Sequence, residues 1–193
     1  MYPAFLHNQY LLRRQVLALA GKFRVYDSAE NLLLFSEQKM FRLREDIRVY
    51  SDESKSQEVL TIKARQIIDF SAAYDVMDSV TGEKVGVLRR KGWRSLLRDE
   101  WEVLDANDQL RGLLFEDTIQ LALLRRFLLG SLLPQNYDLT FGETRVADLR
   151  QRFNLFRYEL DLDFSMDPTR TLDRRLGIAA GILLATIEGK QSS

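Results

Sequence analysis

An internal repeat constrains this chain more than any other feature, because a unit that recurs at a fixed spacing must fold the same way each time. Four segments share one pattern: an aromatic or β-branched residue, any residue, Val, any residue, then a turn. They are Phe23-Arg24-Val25-Tyr26-Asp27, Ile47-Arg48-Val49-Tyr50-Ser51-Asp52, Tyr74-Asp75-Val76-Met77-Asp78 and Trp101-Glu102-Val103-Leu104-Asp105, with starts 24, 27 and 27 residues apart. Polar turns follow at 28–31, 53–56, 79–83 and 106–109. An Asp at a strand end bonds backbone N–H groups two residues on and starts such a turn. Gly82 supplies positive φ where one is needed. Apolar return strands come next, at 32–35, 59–62, 84–88 and 110–115. Alternation puts Phe23 with Val25, Tyr74 with Val76 and Trp101 with Val103 on one face. The repeating unit is therefore a β-hairpin of roughly two dozen residues.

The pattern weakens but continues. Residues 137–141, Gly142-Glu143 and 144–149 read as another hairpin, and 155–164 as a last strand. In that strand Tyr158, Leu160, Leu162 and Phe164 alternate with Glu159, Asp161 and Asp163. Short, regularly spaced strands imply a sandwich or a barrel. With roughly eleven or twelve strands, closure into a barrel removes both sheet edges. The final element differs. Asp167-Pro168 or Thr171 can start a helix over 172–188, with Gly189 and Lys190 as stop signals. At ~1.5 Å per residue it spans about 26 Å. From 177 to 187 only Thr186 is polar, so the helix is apolar on every side. Such a helix is buried all round or lies in a membrane, and its longest apolar run, 176–187, falls short of the ~20 residues a span needs. Gly177, Ala179, Ala180, Gly181 and Ala185 keep it thin enough for the axis of a closed sheet. The expectation is a mostly-β chain: one domain over 1–193, a closed barrel of repeated hairpins around a central apolar C-terminal helix, with 1–9 a loose N-terminus and 190–193 a tail.

Hairpin repeats, an acidic strand and a terminal apolar helix together resemble the tubby C-terminal-like superfamily, which includes the LURP-one-related proteins and the phospholipid scramblases. The stretch Tyr26-Asp27 to Phe35, followed by Lys39-Met40-Phe41-Arg42-Leu43-Arg44, looks like the first hairpin and connector of LURP-one-related proteins. Leu160-Asp161-Leu162-Asp163 before the apolar helix resembles the scramblase C-terminal segment. The resemblance covers about Tyr10 to Gly189 and implies a twelve-stranded closed barrel around a central helix. Where scramblases carry an Asp-rich calcium loop, this chain has Gln151-Arg152-Phe153-Asn154-Leu155-Phe156, so no calcium site is carried over. The Cys-rich and Pro-rich N-terminal segments of scramblases are also missing. A fold hosts many functions, so the likeness speaks first to architecture.

Lys plus Arg and Asp plus Glu number 28 each, which argues against a generic nucleic-acid binder. There is no Cys, and His7 is the single His, so thiolate chemistry, the usual zinc patterns and His-based triads are not expected. No Gly-rich phosphate loop, nucleophile elbow or metal-ligand spacing is present. The first residues lack a secretory signal pattern. These features point to a cytoplasmic protein with no catalytic function, no cofactor, no bound metal and no transmembrane span.

Three groups remain as candidate sites. The densest basic cluster is Arg89, Arg90, Lys91, Arg94 and Arg98, with Trp93 among them. Guanidinium forks suit phosphate oxygens and Trp suits a membrane interface. The resemblance adds that tubby-like domains include phosphoinositide binders using Lys and Arg on loops. The alternative is a solvated connector paired with Asp99, Glu100 and Glu102. The segment 119–133 interrupts the repeat. It reads as an interfacial helix with Arg125 and Arg126 at head-group level and Leu121, Leu124, Phe127 and Leu128 inserted, or as an element packed on the barrel, or as a partner or dimer surface. Glu159, Asp161, Asp163 and Asp167 form an acidic row, but a strand offers a line of carboxylates where calcium needs a cup of oxygens. Two functions are open: peripheral binding of anionic phospholipid at the membrane, or a protein-interaction scaffold or homodimer through 119–133.

Overall fold

The computed structural model describes residues 1–15, 20–39, 46–65, 72–91, 100–117, 134–154 and 157–191. Twelve antiparallel strands form one closed barrel. They are β1 (Gln9–Gln15), β2 (Ala20–Tyr26), β3 (Leu32–Lys39), β4 (Ile47–Tyr50), β5 (Glu58–Ala64), β6 (Ala73–Asp78), β7 (Lys84–Arg90), β8 (Glu100–Leu104), β9 (Leu110–Glu116), β10 (Asn136–Phe141), β11 (Thr144–Arg152) and β12 (Arg157–Asp163). Each strand pairs with its sequence neighbour, and β1 closes the ring against β12 from Gln9↔Asp163 to Gln15↔Arg157. One helix, α1 (Arg174–Gln191), follows.

The repeat explains the wall. Its alternating residues, Phe23 and Val25, Ile47 and Val49, Tyr74 and Val76, Trp101 and Val103, are all buried against the interior. The Asp that ends each repeat folds its turn. Asp27 accepts the N–H groups of Ala29 and Asn31, Asp52 that of Ser56, Asp78 those of Val80 and Thr81, and Asp105 those of Asn107 and Gln109. Gly82 takes the left-handed conformation at φ 74°, but Glu30, Lys55 and Asp108 adopt it in their own turns. Register shifts between Val25 and Tyr26, Val49 and Tyr50, Val76 and Met77, and Val103 and Leu104 mark a bulge in every repeat. The recurring Val is thus the last regularly paired position before the strand bends into its turn.

The helix fills the barrel. Ile178, Ala179, Ile182, Leu183, Leu184 and Ala185 are buried on all sides of α1. Small residues let it fit: a Cβ on Gly177 would lie 2.4 Å from the Phe164 ring, and one on Gly181 would lie 3.0 Å from Leu162 on β12. The helix starts at Arg174 rather than 172, and its cap is Asp173 rather than Asp167 or Thr171. Asp173 Oδ1 accepts the Arg175 N–H, and its carbonyl accepts those of Leu176 and Gly177. Asp167 is occupied elsewhere, tying the preceding loop through the N–H groups of Thr171 and Leu172. The expected loose N-terminus is corrected. Pro3–Leu6 forms a 3-10 turn whose Phe5 is fully buried in the core, and Gln9 already belongs to β1.

Candidate binding rim

Antiparallel order sorts the connections onto two rims. Five short hairpin turns, at 27–31, 51–57, 79–83, 105–109 and 142–143, lie on one rim, where α1 also enters. The ends of β1, β3, β5, β7, β9 and β11, with the starts of the strands that follow each, form the other rim. The three longest strand-to-strand connectors, 65–72, 91–99 and 117–135, join strands there, and the Arg14 contact with the Ala185 carbonyl shows that α1 runs toward it.

The short-turn rim is a sealed end. Arg174, 1% exposed, donates to Asp167 Oδ2 at 2.9 Å and to the carbonyls of Asp167, Leu172 and Phe164, and its guanidinium stacks 4.9 Å from the Phe164 ring centroid. Arg175 reaches Asp78 at 2.6 Å and Asp173 at 2.6 Å. Burial pushes the carboxyls of Asp167 and Asp78 up, but their backbone N–H donors and the two arginines outweigh it, so both sit below their usual range.

The basic cluster sits at the other rim, at the end of β7. Arg89 points outward and its Nε donates to Glu102 at 2.6 Å. The ammonium of Lys91 meets Glu100 at 2.6 Å and lies 3.7 Å from Glu102. Arg90 is half-buried, and its positive charge partly offsets the rise that burial gives the Tyr74 phenol. Its neighbours along the inward row of β7 are Leu88 and Gly86. Thus the cluster divides: Arg89 and Lys91 face carboxylates on the outer wall, and Arg90 faces the other way. Trp93, Arg94 and Arg98 lie outside the described residues, as do Leu121, Leu124, Arg125, Arg126, Phe127 and Leu128. Strand order still locates their anchors. β7, β8, β9 and β10 are consecutive around the barrel, so the connector after Arg90 and the one after Glu116 emerge side by side from one rim.

The acidic row does not converge. Glu159 receives Arg13, Asp161 receives both Nε and Nη2 of Arg152 at 2.7 Å, and Asp163 receives Gln9 and the Ser165 N–H. Asp167 lies in the loop after β12, buried at the short-turn rim with Arg174. Among the described residues no three His, Cys, Asp or Glu groups come together as a metal site. Glu159, Asp161 and Asp163 are ties along the strand face of β12, while Asp167 is a buried loop tie.

Residue motifs did not reveal Arg14. It occupies the inward row of β1 after Tyr10 and Leu12, and it is 7% exposed. The signal was present in the alternation of 10, 12 and 14, but it shows only once β1 is recognised as a strand.

The LURP-one-related family model matches residues 32–184. The chain belongs to the LURP-one-related family. No curated protein and no solved structure matches it. In this LURP-one-related barrel no described helix is long and apolar enough to cross a membrane.

Proposed function

We propose that this LURP-one-related chain is a non-enzymatic binding module that engages anionic phospholipid head groups through its long-connector rim. In this reading Arg89, Lys91 and Arg94 hold phosphate oxygens, while Trp93 and the 119–133 segment meet the interfacial layer. The supporting observation is the adjacency of two connectors in strand order. One carries the basic cluster and the other the longest non-repeat apolar segment, and they leave β7 and β9, the two strands that flank β8, at one end of the barrel. Cations beside apolar side chains at one end suit a membrane surface. A helix inside the barrel also turns the search for a ligand to the rims and outer face.

Co-sedimentation with liposomes tests this. Neutral vesicles are compared with anionic ones containing phosphoinositide, at low and physiological salt, beside the triple variant R89A/K91A/R94A. Arg90 is left intact because it does not share the outward face of Arg89. The expected result is binding to anionic vesicles alone, weaker at higher salt because exposed charges are screened, and lost in the triple variant. Absence of binding at both salts removes the lipid reading. A second reading has its own support: Arg89 and Lys91 already have Glu102 and Glu100 as partners, so this face is close to neutral as it stands. That favours a protein or a second copy of the chain meeting 119–133. Sedimentation velocity over a concentration series would then show association, abolished by L124D/F127D and indifferent to lipid.

A further inference from the structure

We propose that Arg14 is the centre of an oxyanion-binding site just inside the long-connector mouth of the barrel, taking a phosphate or carboxylate group offered from that rim. The site is separate from the outer cluster at Arg89 and does not depend on it.

A buried guanidinium keeps its charge, because it does not deprotonate in proteins. Its burial is costly unless an anion and hydrogen-bond acceptors accompany it. Two other deeply buried guanidiniums among the described residues obey this rule. Arg174 is matched by Asp167, and Arg175 by Asp78 and Asp173. Arg14 is buried to the same degree as Arg175, at 7% exposure. Yet among the described side chains no carboxylate is ion-paired with it. One of its nitrogens, Nη1, donates to the Ala185 carbonyl at 3.1 Å. Nε is buried and has no acceptor.

The position suits a ligand that comes from outside. Arg14 is the last inward residue of β1, one before the strand end at Gln15. It is paired in register with Phe23 on β2 and Tyr158 on β12, so aromatic residues flank it on both sides. Its guanidinium carbon is 5.8 Å from the Phe23 ring centroid. With Nη1 fixed on the helix, the edge formed by Nε and Nη2 is left to present two parallel N–H groups. That edge matches an anion offering two oxygens, as phosphate and carboxylate groups do. Apolar walls raise the strength of such a contact, since less water competes for the charge.

The Nε–H resonance of Arg14, assigned by its loss in R14Q, is followed in the full chain by 15N NMR. Inorganic phosphate, acetate and dihexanoyl phosphatidic acid are titrated at constant ionic strength set with chloride. The expected result is a saturable shift of that resonance by at least one probe, with affinity for the same probe at least tenfold weaker in R14K, which keeps the charge and loses the fork. A shift with phosphatidic acid alone assigns a lipid head group, and one with phosphate or acetate assigns the free ion. The idea is overturned if the resonance stays still with all three, whether or not R14Q loses stability. Arg14 is then only a tie between β1 and the helix. Equal binding by wild type and R14K overturns it as well.

Discussion

The two rims of this barrel handle charge in opposite ways. Where α1 enters, Arg174 and Arg175 go into the interior, and each is met there by Asp167, Asp78 or Asp173. The turns on that side are short, and the end-of-repeat aspartates close them on their own backbone. The other rim carries the three longest connectors, the exposed Arg89 and the partly exposed Lys91 pair there on the outside wall, and Arg14 goes inward without a carboxylate partner among the described side chains. A barrel plugged by its own helix needs one end sealed, because the helix must enter with its first N–H groups and charges satisfied. The opposite end does not have to admit the charged N-terminal residues of the helix, so residues can be spent there on recognition.

The sharpest way to break this contrast is to unseal the first rim. Removing one partner of a buried pair strands the other charge, at about 3–5 kcal/mol. Asp167→Ala should therefore cost about that much, read from urea unfolding midpoints at neutral pH. It also removes the acceptor for the Thr171 and Leu172 N–H groups, which places it toward the upper end. The pH dependence follows from the lowered carboxyls. Their stabilising contribution is complete above the ordinary carboxylate value of about 3.9 and is lost as pH falls through and below it. The gap between wild type and Asp167→Ala should thus be widest near neutrality and narrow in acid. A gap that stays constant down to acid pH would mean that Asp167 acts through packing rather than charge.

The next largest effect concerns what the sealed rim admits. At Gly177 a methyl group would sit 2.4 Å from the Phe164 ring, against 3.0 Å from the flexible end of Leu162 at Gly181. Overpacking of this kind costs about 1–3 kcal/mol. Gly177→Ala should fall in that range by thermal unfolding, and Gly181→Ala should cost less. Gly181→Leu should return to the upper part of the range, because Leu fills more of the axis than Leu162 can yield. Unchanged stability in Gly181→Leu would contradict a helix packed against β12.

How much of this was visible in the residues differs between wall and rim. The wall was legible because inward residues recur at period two and an Asp closes each turn, both local rules. The helix was legible because 177–187 is apolar on all sides, although its first residue was not. Asp167 looked like a cap, but its lone pairs were claimed by the loop and by Arg174, a contact seven residues away that only the tertiary fold brings about. β1 escaped notice because Arg13 and Arg14 break its apolar appearance. In fact the two residues face opposite sides, Arg13 to Glu159 and Arg14 to Ala185. The pairing of Arg89 with Glu102 is a cross-strand contact set by the register of β7 on β8. No local pattern encodes that register, because the strands are joined by a long connector rather than a tight turn. The candidate site therefore had composition but no spacing by which to be read.

The smallest expected effect sharpens the comparison from the other side. Arg89 is 47% exposed on its side chain and Lys91 24%, and each meets a carboxylate on the outer wall. Pairs of this kind contribute about 0–1 kcal/mol, because water and salt already screen them. Arg89→Ala with Lys91→Ala should leave the urea midpoint within about 1 kcal/mol of wild type. The same double change removes two of the cations on the proposed binding face, so vesicle binding should fall while stability holds. If stability fell by several kcal/mol instead, this rim would be a second seal rather than a recognition surface, and the contrast between the two ends would collapse. If stability and vesicle binding both held, the outer cations would be wall ties like Arg152 on Asp161, and recognition at this rim would have to come from the connectors after Arg90 and Glu116 themselves.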